Sequence, residues 1–118
     1  MLKRVYTLED GDSGTRILVE RLWPRGVTKE SLKLYWWAKD IAPSTELRKW
    51  FNHEDQKYDE FREKYMEELR HNSDVQKLSV ICKKGHVIFL YSTSNEKHNS
   101  AVVLKEFIEK YRDNSLTY

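Results

Sequence analysis

Residues 73–92 read SDVQKLSVICKKGHVIFLYS, and two structures compete for them. LSVIC and HVIFLY both carry strand-favouring residues with KKG between them, which is the pattern of a β-hairpin. Helix followed by strand explains more of the stretch. Ser73 and Gln76 have capping-box spacing, Val75, Leu78 and Cys82 fall on one helical face, and Gly85 sits where helices commonly end. A helix and then a buried strand over 86–91 is therefore predicted.

The same reading extends toward the N-terminus. In TRILVERLW (15–23), Ile17, Leu18 and Val19 are consecutive rather than alternating, as in a strand covered on both faces. This run is expected to be the central strand. KRVYTL (3–8) reads as a first strand, of open orientation, followed by the turn-rich loop EDGDSG. Thr28 can cap a short helix from Lys29, and Ser44 another in which Leu47, Trp50 and Phe51 share a face. LYWWAKDIA between them is too aromatic for a solvent loop. A longer helix is predicted over 55–71, with Tyr58, Phe61, Tyr65 and Leu69 inward and Arg62, Lys64, Glu67 and Glu68 outward. A closing helix is predicted over 96–111, capped by Ser94 or Asn95 and burying Ala101, Leu104 and Ile108. The expected architecture is a single small α/β domain over 1–118, with a mostly parallel short sheet flanked by helices.

Composition narrows the classes of function. One core is expected in 118 residues, and 39% hydrophobic with 34% charged residues describes neither a disordered nor a low-complexity chain. No internal repeat or linker interrupts it. Cys82 has no partner for an internal disulfide, and MLKRVY lacks an apolar signal region; both point to a reducing cytoplasm. No run approaches the roughly 20 apolar residues of a membrane helix. The net charge of +2 arises from 21 basic and 19 acidic residues, well mixed, so nucleic acid is disfavoured as a partner and any anion preference must be local. His53, His71, His86 and His98 show no zinc spacing, and the one cysteine has no CxxC partner, so neither a metal nor a cofactor is expected.

In open α/β sheets, ligands bind beyond the carboxyl ends of strands, where helix N-termini expose unpaired N–H groups. Two such ends carry conspicuous residues: 20–26, leading to the helix capped by Thr28, and 91–95, leading to the helix with His98 and Asn99. If their strands are parallel, both loops open on one edge and suit a phosphate or carboxylate. Arg21, Arg25, Ser44, Arg48, Tyr91, Ser92, Asn95 and Asn99 are the candidate ligand contacts, and Glu20 and His98 the candidate proton carriers. Each has a structural alternative. The arginines can pair with Glu20 or Asp40, Trp23 can be a packing wedge, and Ser44 can simply start a helix. Cys82 reads as a buried, inert thiol, and Trp36 as the residue for a contact between two copies in a homodimer.

The runs RILVERLWPRG (16–26), APSTELRKWF (42–51) and YSTSNEKHNSAVVL (91–104), with the spacing of Phe61, Tyr65 and Leu69, resemble the compact, YeaO-like members of the domain of unknown function 488 family over nearly the whole chain. The resemblance implies a small intracellular bacterial or archaeal α/β domain without an established activity. Some similar sequences carry a transcription-regulator label, for which this chain has no helix-turn-helix. Larger members place an acidic residue and an arginine after the strand matching 16–22, where Glu20 and Arg21 stand here. Near the later loop they carry a cysteine and a Cys-His-Arg triplet; here Tyr91 replaces the cysteine and His98-Asn99-Ser100 occupies the triplet's neighbourhood, so thiol chemistry does not carry over. Three functions fit: a pocket for a small phosphate or carboxylate ligand, enzymatic or not; a nucleic-acid-binding or regulatory module; and a non-enzymatic interaction protein.

Overall fold

The computed structural model describes residues 1–114, with side chains over 1–111. Four strands form one sheet in the order β1-β4-β2-β3, with every neighbouring pair parallel. They are β1 (Leu2–Arg4), β2 (Thr15–Leu18), β3 (Trp36–Trp37) and β4 (Val87–Tyr91). The helices are α1 (Lys29–Leu32), α2 (Thr45–Phe51), α3 (Tyr58–Arg70), α4 (Asp74–Lys84) and α5 (Ser100–Asn114). Residues 73–92 thus fold as helix then strand, and the chain is α/β.

Strand periodicity sorts the two buried strands onto two cores. Ile17, Val19, Val87, Phe89 and Tyr91 face the larger one, which gathers Leu47 and Phe51 of α2, Phe61, Tyr65 and Leu69 of α3, Val75 and Leu78 of α4, and Ala101, Leu104 and Ile108 of α5. Leu18, Ile88 and Leu90 face the other side, where Val5 and Leu32 cover them with Trp23, Val27 and Trp37 packed around. This two-sided burial is why Ile17, Leu18 and Val19 run without a polar break.

Several boundaries differ from the sequence reading. The first strand ends at Arg4 because its partner ends opposite, at Tyr91; Val5–Thr7 coil into a 3-10 turn instead. The central strand stops at Leu18, although the Val19 N–H still reaches the Leu90 carbonyl at 3.2 Å. A 3-10 turn at Asp55–Lys57 precedes α3, which starts at Tyr58. Ser73 does not cap α4, since its own backbone is already helical; Asn72 Oδ1 accepts the Asp74 N–H instead. The closing helix begins at Ser100, not 96, and Asn99 Oδ1 takes the Val102 N–H in the manner of an N-cap. Asn95 Oδ1 accepts the N–H groups of Lys97 and His98, a separate local turn. Thr28 and Ser44 do cap α1 and α2, accepting from the N–H of Ser31 and Leu47.

Gly14 is the one glycine at which an added side chain would collide with a neighbour. Its φ is +135°, and an added Cβ would lie 2.8 Å from His86 Cδ2 and 3.1 Å from the His86 carbonyl. The closeness fits the bond from Thr15 N–H to that carbonyl, with which β2 and β4 begin to pair.

A candidate anion-binding cavity at the carboxyl edge of the sheet

Because β2 and β4 are parallel neighbours, the segments leaving them emerge side by side. They meet across a cavity of about 370 Å³. Glu20 to Arg25 form one wall, Ser92, Thr93 and His98 to Ser100 the other, and Ala42, Pro43, Arg48, Phe51, His53 and Phe61 close it from the helical side, with Tyr6 at the remaining edge. Arg4 holds the second wall to β1: its Nε donates to the Thr93 carbonyl at 2.8 Å and its Nη2 to the Ser92 carbonyl at 3.2 Å.

Glu20 is the acid among the residues that line the cavity. Burial pushes its carboxyl above the usual carboxylate range, against the opposing pull of Ser92 and, more weakly, of Arg48 and His53. Ser92 Oγ donates to Glu20 Oε2 at 3.0 Å, whereas Oε1 is buried without a hydrogen-bond partner. The backbone here is fixed by Trp37 Nε1, which donates to the Glu20 carbonyl at 2.7 Å. A raised folded-state pKa favours the folded state below the unfolded pKa, and that contribution disappears as pH rises through the folded pKa. Glu20→Gln is therefore expected to gain stability relative to wild type as pH increases from about 4 to 8, by about 1.4 kcal/mol for each pKa unit of displacement. Urea unfolding of both proteins across that range checks it; a constant difference would contradict a raised pKa.

The three arginines divide. Arg21 is committed to backbone: Nε donates to the Pro43 carbonyl at 3.2 Å and Nη2 to the Ala42 carbonyl at 3.1 Å, with exposed Asp40 a long 3.9 Å from Nη1. It clamps the segment ahead of α2. Arg25 is exposed at the rim, and its carbonyl accepts the Tyr6 hydroxyl. The side chain of Arg48, half-buried on α2, has neither a hydrogen bond nor an ion pair among the described residues, though it lies close enough to Glu20 to favour its ionised form.

The other nominated residues are distributed as follows. Ser92 and Asn99 line the cavity, but Asn99 already donates to the Asn95 carbonyl and accepts the Val102 N–H. His98 lines it from the loop before α5, stacked on Tyr58 at 4.4 Å between centroids, with Nδ1 3.3 Å from Asp55 Oδ1. Tyr91, Ser44 and Asn95 are not on the cavity wall. Tyr91 continues the alternation of Val87 and Phe89 into the helix-covered core. Ser44 is occupied as a cap, with its N–H and Oγ both donating to Glu68, at 2.9 and 2.6 Å. Asn95 turns outward, and its Nδ2 donates to Asp55 at 3.0 Å. Trp23 is a wedge as well as a wall: it packs edge-on to Trp37 at 5.3 Å, and its Nε1 donates to the Val27 carbonyl. Trp36 is partly covered by Lys77, whose Nζ lies 4.2 Å from the ring centroid. Cys82 is half-buried rather than fully buried, at the edge of the larger core.

His53 is the functional candidate that sequence reasoning missed. It follows Asn52 just past α2, and both adopt left-handed backbone, with φ of 48° and 56°. Asn commonly ends a helix this way and His tolerates the conformation better than most residues, so the Asn-His pair carried a local signal. Two such residues in succession turn the chain back and bring His53 to the cavity. Among the described residues no three of His, Cys, Asp and Glu are grouped to hold a metal ion, and no helix is long and apolar enough to cross a membrane.

Comparisons with known proteins agree with the resemblance noted above. YeaO of Escherichia coli strain K12 is 47% identical over 107 residues, covering 90% of this chain and 93% of YeaO. Rv3073c of Mycobacterium tuberculosis H37Rv and Mb3100c of Mycobacterium bovis are each 36% identical over 105 residues, 89% of both chains. All three bear the description "uncharacterized protein". No solved structure matches significantly. The family model DUF488-N3i, described as the inactive DUF488-N3 subclade, matches residues 1–116, and the chain belongs to that family.

Proposed function

We propose that the chain is a binding domain for a small ligand carrying a phosphate or carboxylate, seated between the loops at 20–28 and 91–99. The observation behind this reading is Arg48. A half-buried guanidinium on a cavity wall, with no side-chain hydrogen bond or ion pair among the described residues, is a cationic fork whose bidentate geometry suits an anion. Arg25 adds positive charge at the rim, and Arg21 serves the site by fixing its wall. Ser92 and the loop that follows supply further polar groups. Glu20 and His98 are the groups that would carry a proton if the bound molecule were turned over. The word "inactive" in the family description favours binding without turnover.

The test is the melting temperature in increasing phosphate and sulfate, at ionic strength held constant with chloride, for wild type and Arg48→Met. Binding stabilises by about 2.7 kcal/mol at a ligand concentration one hundred times Kd. Wild type is expected to gain stability with anion concentration, and Arg48→Met, binding at least tenfold more weakly, to gain about 1.4 kcal/mol less at that concentration. Equal responses of the two proteins refute the reading.

A further inference from the structure

We infer that the ligand of this cavity is an anion with an apolar tail: a small molecule in which a phosphate or carboxylate is joined to a short alkyl chain or a ring, the charged end at Arg48 and the tail across a lip formed by Leu22 and Tyr6. The inference rests on the anion reading and adds the chemistry of the rest of the ligand. Both lip residues line the cavity, yet Leu22 is 63% and Tyr6 49% exposed, and neither packs in either core. Single exposed apolar side chains are ordinary on a protein surface. Two of them at the mouth of one cavity, beside a cationic wall, make an apolar area adjoining a charge.

The exposure is imposed by the backbone. Leu22 stands between two anchored points: Trp37 Nε1 donates to the Glu20 carbonyl at 2.7 Å, and Trp23 Nε1 donates to the Val27 carbonyl at 2.6 Å. Trp23 packs against the smaller core, and its neighbour Leu22 is left in water. Tyr6 is held as well, its hydroxyl donating to the Arg25 carbonyl at 2.9 Å and the Arg4 guanidinium carbon lying 5.3 Å from its ring centroid. A lip shaped before the ligand arrives loses little conformational freedom on binding. A volume of about 370 Å³ lies at the small end of ligand pockets, so the cavity has room for the charged group and a few carbons, and the rest of the tail extends over the lip. Covering Leu22 and Tyr6 then supplies hydrophobic free energy that an inorganic anion lacks.

Isothermal titration of wild type, Leu22→Ser and Arg48→Met with two series tests this: methyl, butyl and hexyl phosphate, and acetate, pentanoate and heptanoate, with hexanol as the uncharged control. In the series whose head group binds wild type more tightly, affinity is expected to rise about two- to fourfold for each added methylene. Leu22→Ser should cut the gain from the shortest to the longest member at least threefold while leaving the shortest unchanged, and Arg48→Met should weaken every member at least tenfold. Affinity independent of chain length, or a gain that Leu22→Ser leaves intact, overturns the tailed ligand and leaves the anion reading standing. Binding of inorganic phosphate or sulfate with neither series does the same. Hexanol bound as tightly as hexyl phosphate and heptanoate overturns both readings, as does failure of both series together with phosphate and sulfate. A membrane lipid presents the same chemistry, so wild type is also sedimented with vesicles of phosphatidylcholine and phosphatidate: it is expected to stay in solution, and sedimentation with the vesicles overturns the small-molecule ligand in favour of a lipid. Leu22 is exposed and outside both cores, so Leu22→Ser should fold like wild type, which far-ultraviolet circular dichroism checks for both variants.

Discussion

Phe61→Ala is expected to lower the unfolding free energy by about 3–5 kcal/mol, the cost of deleting a fully enclosed aromatic ring. The ring is 2% exposed and stands where the helices meet the cavity: it stacks on Phe51 at 4.3 Å and lies about equally far, 6.2 and 5.9 Å, from Tyr58 and Tyr65. Its removal costs transfer free energy and also the aromatic pair with Phe51, worth about 0.5–1.5 kcal/mol beyond area. A domain of this length has on the order of 6–18 kcal/mol in total, so the loss is a large fraction of it. The vacated space would open into the neighbouring cavity, allowing water to enter and soften the penalty toward the lower bound. Urea unfolding with an unchanged denaturant slope is the measurement, and a loss below about 1.5 kcal/mol would mean that α2 and α3 collapse onto the gap. Phe61→Leu, which keeps most of the volume, should cost less than half as much.

What the residues disclosed, and what they did not, follows from the range of the interactions. The helix-then-strand reading of 73–92 and the two-sided burial of 17–19 depend on periodicity along one element, and both are visible in order. The meeting of the loops after β2 and β4 follows once those strands are parallel neighbours, a matter of topology that two buried strands make natural. Local competition hid the boundaries. Asn95 and Asn99 are both good cap residues four positions apart; the first closes a turn and the second starts the helix, and only the packing of Ala101 and Leu104 decides between them. Asn72 outcompetes Ser73 in the same way. At the cavity, residue type alone could not separate Arg21 from Arg48, because the difference lies in two carbonyls, of Ala42 and Pro43, that are remote in sequence from Arg21. Tyr91 was placed by its proximity to a loop, whereas its strand parity sends it to the core.

That division of labour among arginines has a parallel away from the cavity, at Arg16, where a buried cation serves the fold without an acidic partner in hydrogen-bond contact. Arg16 is 7% exposed on β2, on the same face as Leu18, in a place that periodicity assigns to an apolar residue. Its Nη1 donates to the Leu32 carbonyl at 3.1 Å, and its Nη2 to those of Glu9 and Asp12 at 3.0 and 3.1 Å. One guanidinium thus joins the loop after the first strand to the end of α1, and Asp12 lies near enough for the two charges to attract. Removing it strands the buried Leu32 carbonyl, whereas those of Glu9 and Asp12 lie nearer to water and recover part of their loss by hydration.

Arg16→Met, which keeps the length and apolar stem, is therefore expected to cost about 3–5 kcal/mol, from the Leu32 carbonyl left dry and the part of the two other charge-assisted hydrogen bonds that hydration does not restore. Arg16→Lys should fall between, because an ammonium is a single point and cannot span carbonyls on both sides of the guanidinium plane. Urea unfolding gives the magnitudes, and amide hydrogen exchange over residues 9–14 and 29–33 gives the location: exchange should rise there before it rises in β4 or α3. If Arg16→Met were as stable as wild type, or if protection fell evenly across the sheet, the carbonyls would be finding water or other donors and Arg16 would be a tolerated cation rather than the tie between loop and helix.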